Sequence, residues 1–229
     1  MPVFRLTDEP VFPSPRLADE DGLLAVGGDL SEARLLRAYS MGIFPWYTDE
    51  YPILWWSPDP RLIMVPEELR ISRSLRKTIR QGIFDVSFDT AFDEVIRNCS
   101  VVHRSTEGST WITEEMRRAY LRLHLSGFAH SVEVRYKGEL AGGLYGVALG
   151  GAFFGESMFH LKSDASKIAL VTLLGTLAAW NFSLVDCQVT TRHLLSLGAR
   201  EVPRGEFMAM LKKALALPTR RGKWAAKDE

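Results

Sequence analysis

The stretch AFFGESMFHLKSDASKIALVTLLGTLAAWNFSLVDCQV, residues 152–189, reads as strand, helix, strand. Ala152 to Phe159 is apolar and aromatic and follows the Gly150-Gly151 turn signal, the mark of a strand. A helix is predicted over 163–180; its most apolar part, Ile168 to Trp180, contains Thr172, Gly175 and Thr176 and is too short to span a bilayer, so it reads as a buried helix. Phe182 to Val189 supplies the second strand. Two strands joined in this way run parallel with a right-handed crossover, and their ligands gather beyond the carboxyl ends of the strands. Glu156 lies toward the end of the first strand and Asp186 and Gln188 toward the end of the second, so these side chains are predicted to converge.

Upstream, Val132, Val134 and Tyr136 alternate with polar residues, Lys137-Gly138-Glu139 supplies a turn, and Leu140 to Ala148 continues as a strand. Thr113 starts a helix with Met116, Tyr120 and Leu123 on one face and Gly127 at its end. Ser72 caps another that ends near Gly82, and Ser31 a third that runs to Met41 before Gly42. Between them, IFPWYTDEYPILWWSPDPR (43–61) holds four prolines and three tryptophans and cannot be a regular helix. It reads as a connector after an irregular, proline-punctuated start. Downstream come a short helix ending at Gly198 and a last helix from Gly205 to Leu217. The class is α/β of the α+β kind with a mixed sheet, divided as a small N-terminal domain with its connector, 1–61, and a larger domain, 62–229.

With 229 residues, 46% hydrophobic and 24% charged, the composition is that of an ordinary globular chain. Basic and acidic residues balance at 28 each, so any basic surface is local. Cys99 and Cys187 match no disulfide framework and no metal spacing, and the beginning of the chain lacks the basic head and apolar middle of a signal peptide; a cytoplasmic location is expected. Histidines 103, 124, 130, 160 and 193 show no metal-ligand spacing, Ser157 sits outside a nucleophile elbow, and no phosphate loop is present. No metal, cofactor or membrane is expected.

On a regular strand Asp186 and Gln188 share one face while Val185 and Cys187 take the other. A carboxylate holding an amide can present the amide oxygen to an incoming amine, and Glu156 adds a second negative charge at the same gap. The plainer reading is a set of polar strand ends, although Glu156 among Phe153, Phe154, Met158 and Phe159 needs partners. Phe44, Trp46, Tyr47, Tyr51, Trp55, Trp56 and Trp111 resemble stacking platforms for unpaired bases, yet aromatic clusters more often form core. Arg73, Arg76, Lys77 and Arg80 form one helical stripe suited to a phosphate backbone or simply to solvent, with Arg117, Arg118 and Arg122 adding charge on another helix.

The runs GLLAVGGDLS (22–31), YSMGIFPWY (39–47), ILWWSPDPR (53–61), TWIT (110–113), GGLYGV (142–147), FFGESMF (153–159), LVDCQV (184–189) and SLGA (196–199) resemble, in order and spacing, the bacterial leucyl/phenylalanyl-tRNA–protein transferases. The resemblance spans roughly residues 12 to 210. It implies an acetyltransferase-like (GNAT) catalytic domain and transfer of Leu or Phe, less well Met, from aminoacyl-tRNA to proteins beginning with Arg or Lys, which marks them for N-degron degradation. It also implies Asp186 and Gln188 as the catalytic pair, with Glu156 at the reaction centre. Trp46, Trp111, Tyr39 and Tyr120 are expected at the 3′ end of the aminoacyl-tRNA, Leu144, Phe153 and Met158 around the aminoacyl side chain, and Arg73, Arg76, Lys77 and Arg80 on the tRNA backbone. A monomer is expected.

Leu144 stands where the resembling family often has methionine, and Leu173 and Leu177 where aromatics occur, which bears on the preference between Leu and Phe. Two other readings fit parts of the pattern. A CoA-dependent acyltransferase would need a glycine-rich pyrophosphate turn, but His160 to Lys167 contains no glycine. A noncatalytic RNA-binding module would leave the Asp186, Gln188 and Glu156 convergence without a purpose.

Overall fold

Two sheets organise the chain in a computed structural model that describes residues 3–107 and 110–225, with backbone alone over 103–107. The first sheet combines β1 (Phe4–Leu6), β2 (Leu23–Gly27), β3 (Phe44–Pro45) and β4 (Leu54–Trp56) in the order β1-β2-β4-β3, with α1 (Glu32–Ser40) between β2 and β3. The N-terminal stretch expected to be irregular therefore carries two strands, and the expected connector supplies two more. Trp55 explains part of this: it is fully buried and its indole N–H donates to the Gly27 carbonyl at 2.9 Å, tying β4 to β2. Pro45 is tolerated because β3 is an edge strand, where a missing N–H costs no ladder bond.

The second sheet contains β5 (Arg61–Met64), β6 (Asp85–Phe88), β7 (Ala129–Tyr136), β8 (Glu139–Leu149), β9 (Ala152–His160), β10 (Leu184–Gln188) and β11 (Arg200–Val202). Their order is β11-β5-β10-β9-β8-β7-β6, with β9 and β10 parallel and the other pairings antiparallel. The mixed α/β class and the parallel pair are as expected. Helices α2 (Arg73–Arg80), α3 (Phe92–Glu107), α4 (Glu114–Leu125), α5 (Ala165–Ala179), α6 (Arg192–Ser196) and α7 (Arg204–Ala214) complete the order. The side chains of Ser31, Ser72 and Thr113 cap α1, α2 and α4 by accepting from Arg34, Leu75 and Met116 backbone N–H groups. β5, β6, α3 and β11 have no counterpart in the sequence reading. His103, one of the histidines scanned for metal spacing, has a side chain outside the described set.

Both faces of the large sheet are covered, which is why its central strands read as nearly continuous apolar runs. Leu144, Phe153 and Val185 pack with Ile168, Leu173 and Leu174 of α5. Tyr145, Val147 and Phe154 face the other way, toward Cys99 of α3, Tyr120 of α4 and Tyr39 of α1. The ladder between β9 and β10 runs only from Leu184↔Ala152 to Asp186↔Phe154. Beyond that register Gly155 to Met158 and Cys187 to Val189 flank a cavity, so the carboxyl ends of the parallel pair hold the opening, as predicted.

Candidate active site

The cavity, about 420 Å³, is walled by Leu144, Phe153, Met158, Leu170, Leu173 and Val185 and holds Glu156 and Gln188 among its polar groups. Leu144, Phe153 and Met158, the expected side-chain pocket, thus stand together in its wall. Phe44, Trp46 and Trp111 also line it, and Trp46 is 44% exposed.

Asp186 and Gln188 both reach the side of the sheet that carries Arg61, Glu156 and Tyr39, while Val185 and Cys187 pack on the other. The pairing of β10 with β5 shifts register between Asp186 and Gln188, and Gln188 adopts φ +62, a left-handed conformation uncommon outside glycine. Val185, Cys187 and Gln188 line the cavity, which opens between the two sides of the sheet where the ladder is irregular, while Asp186 is buried. Asp186 is fully buried and accepts from Arg61 Nε at 2.8 Å, from Arg61 Nη2 at 2.7 Å and from the Gln188 backbone N–H at 3.0 Å. What it holds is the backbone of Gln188. The Gln188 side chain is held elsewhere: its Nε2 donates to Glu156 Oε1 at 3.1 Å. Its Oε1 makes no hydrogen bond among the described residues and remains available to a ligand.

Glu156 is also hydrogen-bonded to the Tyr39 hydroxyl at 2.7 Å and to the Tyr120 hydroxyl at 2.8 Å, and the two phenols contact each other. Burial pushes the Glu156 carboxyl up to about 7, aided by the negative charge of Asp186 and opposed by the hydrogen bonds from Tyr39, Tyr120 and Gln188. Tyr39 and Tyr120, expected at the 3′ end of the aminoacyl-tRNA, are themselves fully buried and support Glu156. Burial raises both phenols well above their usual range, and they stay protonated.

Arg73, Arg76, Lys77 and Arg80 line a shallow depression of about 460 Å³ with Gln81, and none of them makes an ion pair among the described residues. The opposite side of α2 is apolar only in part, since Leu75 is buried but Ile79 is exposed. The second basic helix offers less than its sequence suggests. Arg117 pairs with Asp93 and Glu114, Arg118 with Glu114, and Arg122 donates to the Leu30 carbonyl.

Sequence reading missed Arg61 and His193. Arg61 ends the WWSPDPR run, and its partner is far along the chain; His193 lines the cavity from α6, its Nε2 buried without a partner among the described residues. Cys187, also at the cavity, is kept a neutral thiol, with burial raising its pKa first and Asp186 second.

Fold and site together define a mixed α/β protein whose apolar ligand cavity ends on a carboxyl group and an amide. The chain belongs to the leucyl/phenylalanyl-tRNA protein transferase family: the family model matches residues 63–212 and that of its N-terminal domain residues 28–59. A leucyl/phenylalanyl-tRNA–protein transferase of Syntrophobacter fumaroxidans is 61% identical over 92% of this chain and 90% of its own. One of Myxococcus xanthus is 56% identical over 98% of this chain and 97% of its own. Among solved structures, an aminoglycoside acetyltransferase from an uncultured soil sample is similar at a TM-score of 0.39, with 13% identity over 50% of this chain and 84% of its own.

Proposed function

We propose that this protein transfers Leu or Phe, less well Met, from aminoacyl-tRNA to the N-terminal α-amine of proteins that begin with Arg or Lys, acting as a cytoplasmic monomer in N-degron marking. The observation that carries the reading is the cavity itself. Its apolar wall of Leu144, Phe153, Met158 and Leu173 suits a Leu or Phe side chain, and its polar groups, Glu156 and Gln188, suit an ester and an incoming amine. Residues 62–229 would hold the chemistry and residues 1–61 would contribute Trp46 and Tyr39 to it.

In the proposed reaction the Gln188 Oε1 accepts a hydrogen bond from the acceptor amine as it attacks the ester, while Glu156 holds the amide in that orientation. Asp186 keeps the Gln188 turn in place through the backbone N–H, with its charge compensated by Arg61. Trp46 and Trp111 would stack on the terminal adenosine, and Arg73, Arg76, Lys77 and Arg80 would follow the phosphates.

The test is transfer of radiolabel from Leu-tRNA or Phe-tRNA to peptides beginning with Arg, Lys or Ala, with a ribonuclease-treated control. Ribonuclease-sensitive label on the Arg and Lys peptides alone is the expected result. Label from neither tRNA would overturn the reading.

A further inference from the structure

Three oxygen-bearing side chains close a ring behind the cavity. Tyr39 contacts Tyr120 and Glu156 Oε1, and Tyr120 contacts Glu156 Oε2. Each of these contacts needs one proton between its oxygens. The two phenols supply two. An ionised Glu156 supplies none and would leave one contact with lone pair facing lone pair; a protonated Glu156 supplies the third. The bonds then run one way round: Oε2–H donates to Tyr120, Tyr120 to Tyr39, and Tyr39 to Oε1. Oε1 remains a carbonyl-type oxygen that accepts from Tyr39 and from Gln188 Nε2.

We infer that Glu156, Tyr39 and Tyr120 form a closed three-proton ring in which the two tyrosines are positioning residues, setting the direction of the Glu156 proton before the transfer step and fixing the Gln188 amide. This inference rests on the transferase reading. Tyr39 from α1, Tyr120 from α4, Tyr145 and Cys99 from β8 and α3, and Asp186 and Gln188 from β10 surround the ring; the neighbouring cation, Arg61, is committed to Asp186. The rise of the Glu156 pKa to about 7 agrees with the proton count.

The ring exchanges protons one for one. The neutral acceptor amine attacks the ester carbonyl carbon, the carbon–nitrogen bond forms, and the bond from that carbon to the ribose oxygen breaks. Glu156 gives its proton to the departing ribose oxygen and receives one from the nitrogen. The products are an amide and a tRNA with its hydroxyl restored, and the ring returns to its starting charge.

The experiment pairs infrared difference spectra of the wild type against Glu156→Gln with pH–rate profiles of transfer for the wild type, Tyr39→Phe and Tyr120→Phe. A carboxylic-acid carbonyl band at about pH 6, present in the wild type and absent from Glu156→Gln, is expected. Each phenylalanine variant removes a hydroxyl whose hydrogen bonding lowers the Glu156 pKa, so the alkaline limb of its profile should move upward by about one pH unit, with KM for aminoacyl-tRNA little changed. Absence of the band, or an unmoved alkaline limb in both variants, would overturn the ring. If the wild type transfers nothing, the transferase reading fails, while the infrared spectra still decide the ring.

Discussion

Arg61 grips Asp186 through two hydrogen bonds, Nε to Oδ1 at 2.8 Å and Nη2 to Oδ2 at 2.7 Å, and neither side chain reaches solvent. The guanidinium lies between the rings of Phe44 and Phe207, 4.7 Å from each centroid, so β3 and α7 close over a pair that joins β5 to β10. Such a pair is costly to bury and costlier to break. Arg61→Ala should lower stability by about 3–5 kcal/mol in urea denaturation, because it strands the Asp186 carboxylate. A loss under 1 kcal/mol would mean that the carboxylate finds water or a proton without disturbing the fold.

Gln188 is expected to act on rate and not on tRNA affinity. Gln188→Ala should lower kcat for transfer by roughly 100-fold, the usual size of an orienting or proton-transfer contribution, with KM for Leu-tRNA within about threefold of the wild type. A raised KM with unchanged kcat would place the amide in ground-state binding instead.

Leu173 lines the cavity and is buried, so its size sets the room left for a donor side chain. Leu173→Phe should reduce kcat/KM for Phe-tRNA relative to Leu-tRNA by about tenfold, within the 1–3 kcal/mol that reshaping an apolar pocket commands. Competition between the two charged tRNAs in one reaction measures the ratio directly.

Trp46 is 44% exposed, so its removal costs the fold little. If it stacks on a base, Trp46→Ala should raise the apparent KM for aminoacyl-tRNA by roughly 5- to 150-fold, the equivalent of about 1–3 kcal/mol. Reversal of one charge on α2, Arg76→Glu, should instead flatten the dependence of tRNA binding on salt, removing about one phosphate contact from the slope.

Glu156 links stability to pH. Its folded pKa, about 7, lies above the ordinary carboxylate value of 4.5, so between these values the folded protein holds a proton that the unfolded chain has lost. Stability from this group is full below about pH 4.5, falls as pH rises, and is gone above about pH 7, a change on the order of 3 kcal/mol. Glu156→Gln keeps an acceptor and a donor in the ring without titrating. Thermal melts should therefore show it gaining on the wild type as pH rises from about 5 to 8; parallel curves would exclude a raised carboxyl.

Local signals determined much of this protein. Hydroxyl caps at Ser31, Ser72 and Thr113 set helix starts because each satisfies an N–H of its own first turn. The apolar run around α5 and its flanking strands fixed the parallel unit and the end of it where a ligand would sit, since those periods repeat within a few residues. The missed α3 had a legible stripe in Phe92, Val95, Ile96 and Cys99; the short β11 had none, and its strand form comes from pairing with β5. What the residues opposite one another do was decided only by the tertiary structure. Asp186 finds Arg61 at a separation of 125 residues, and Glu156 finds Tyr39 at 117, across elements that no local pattern relates. The shift in register at Gln188 also belongs to the assembled sheet. There the Gln188 turn is held by Asp186, whose own place is fixed by a cation from another strand, so the position of that amide rests on packing and long-range charge pairing that strand alternation alone does not supply.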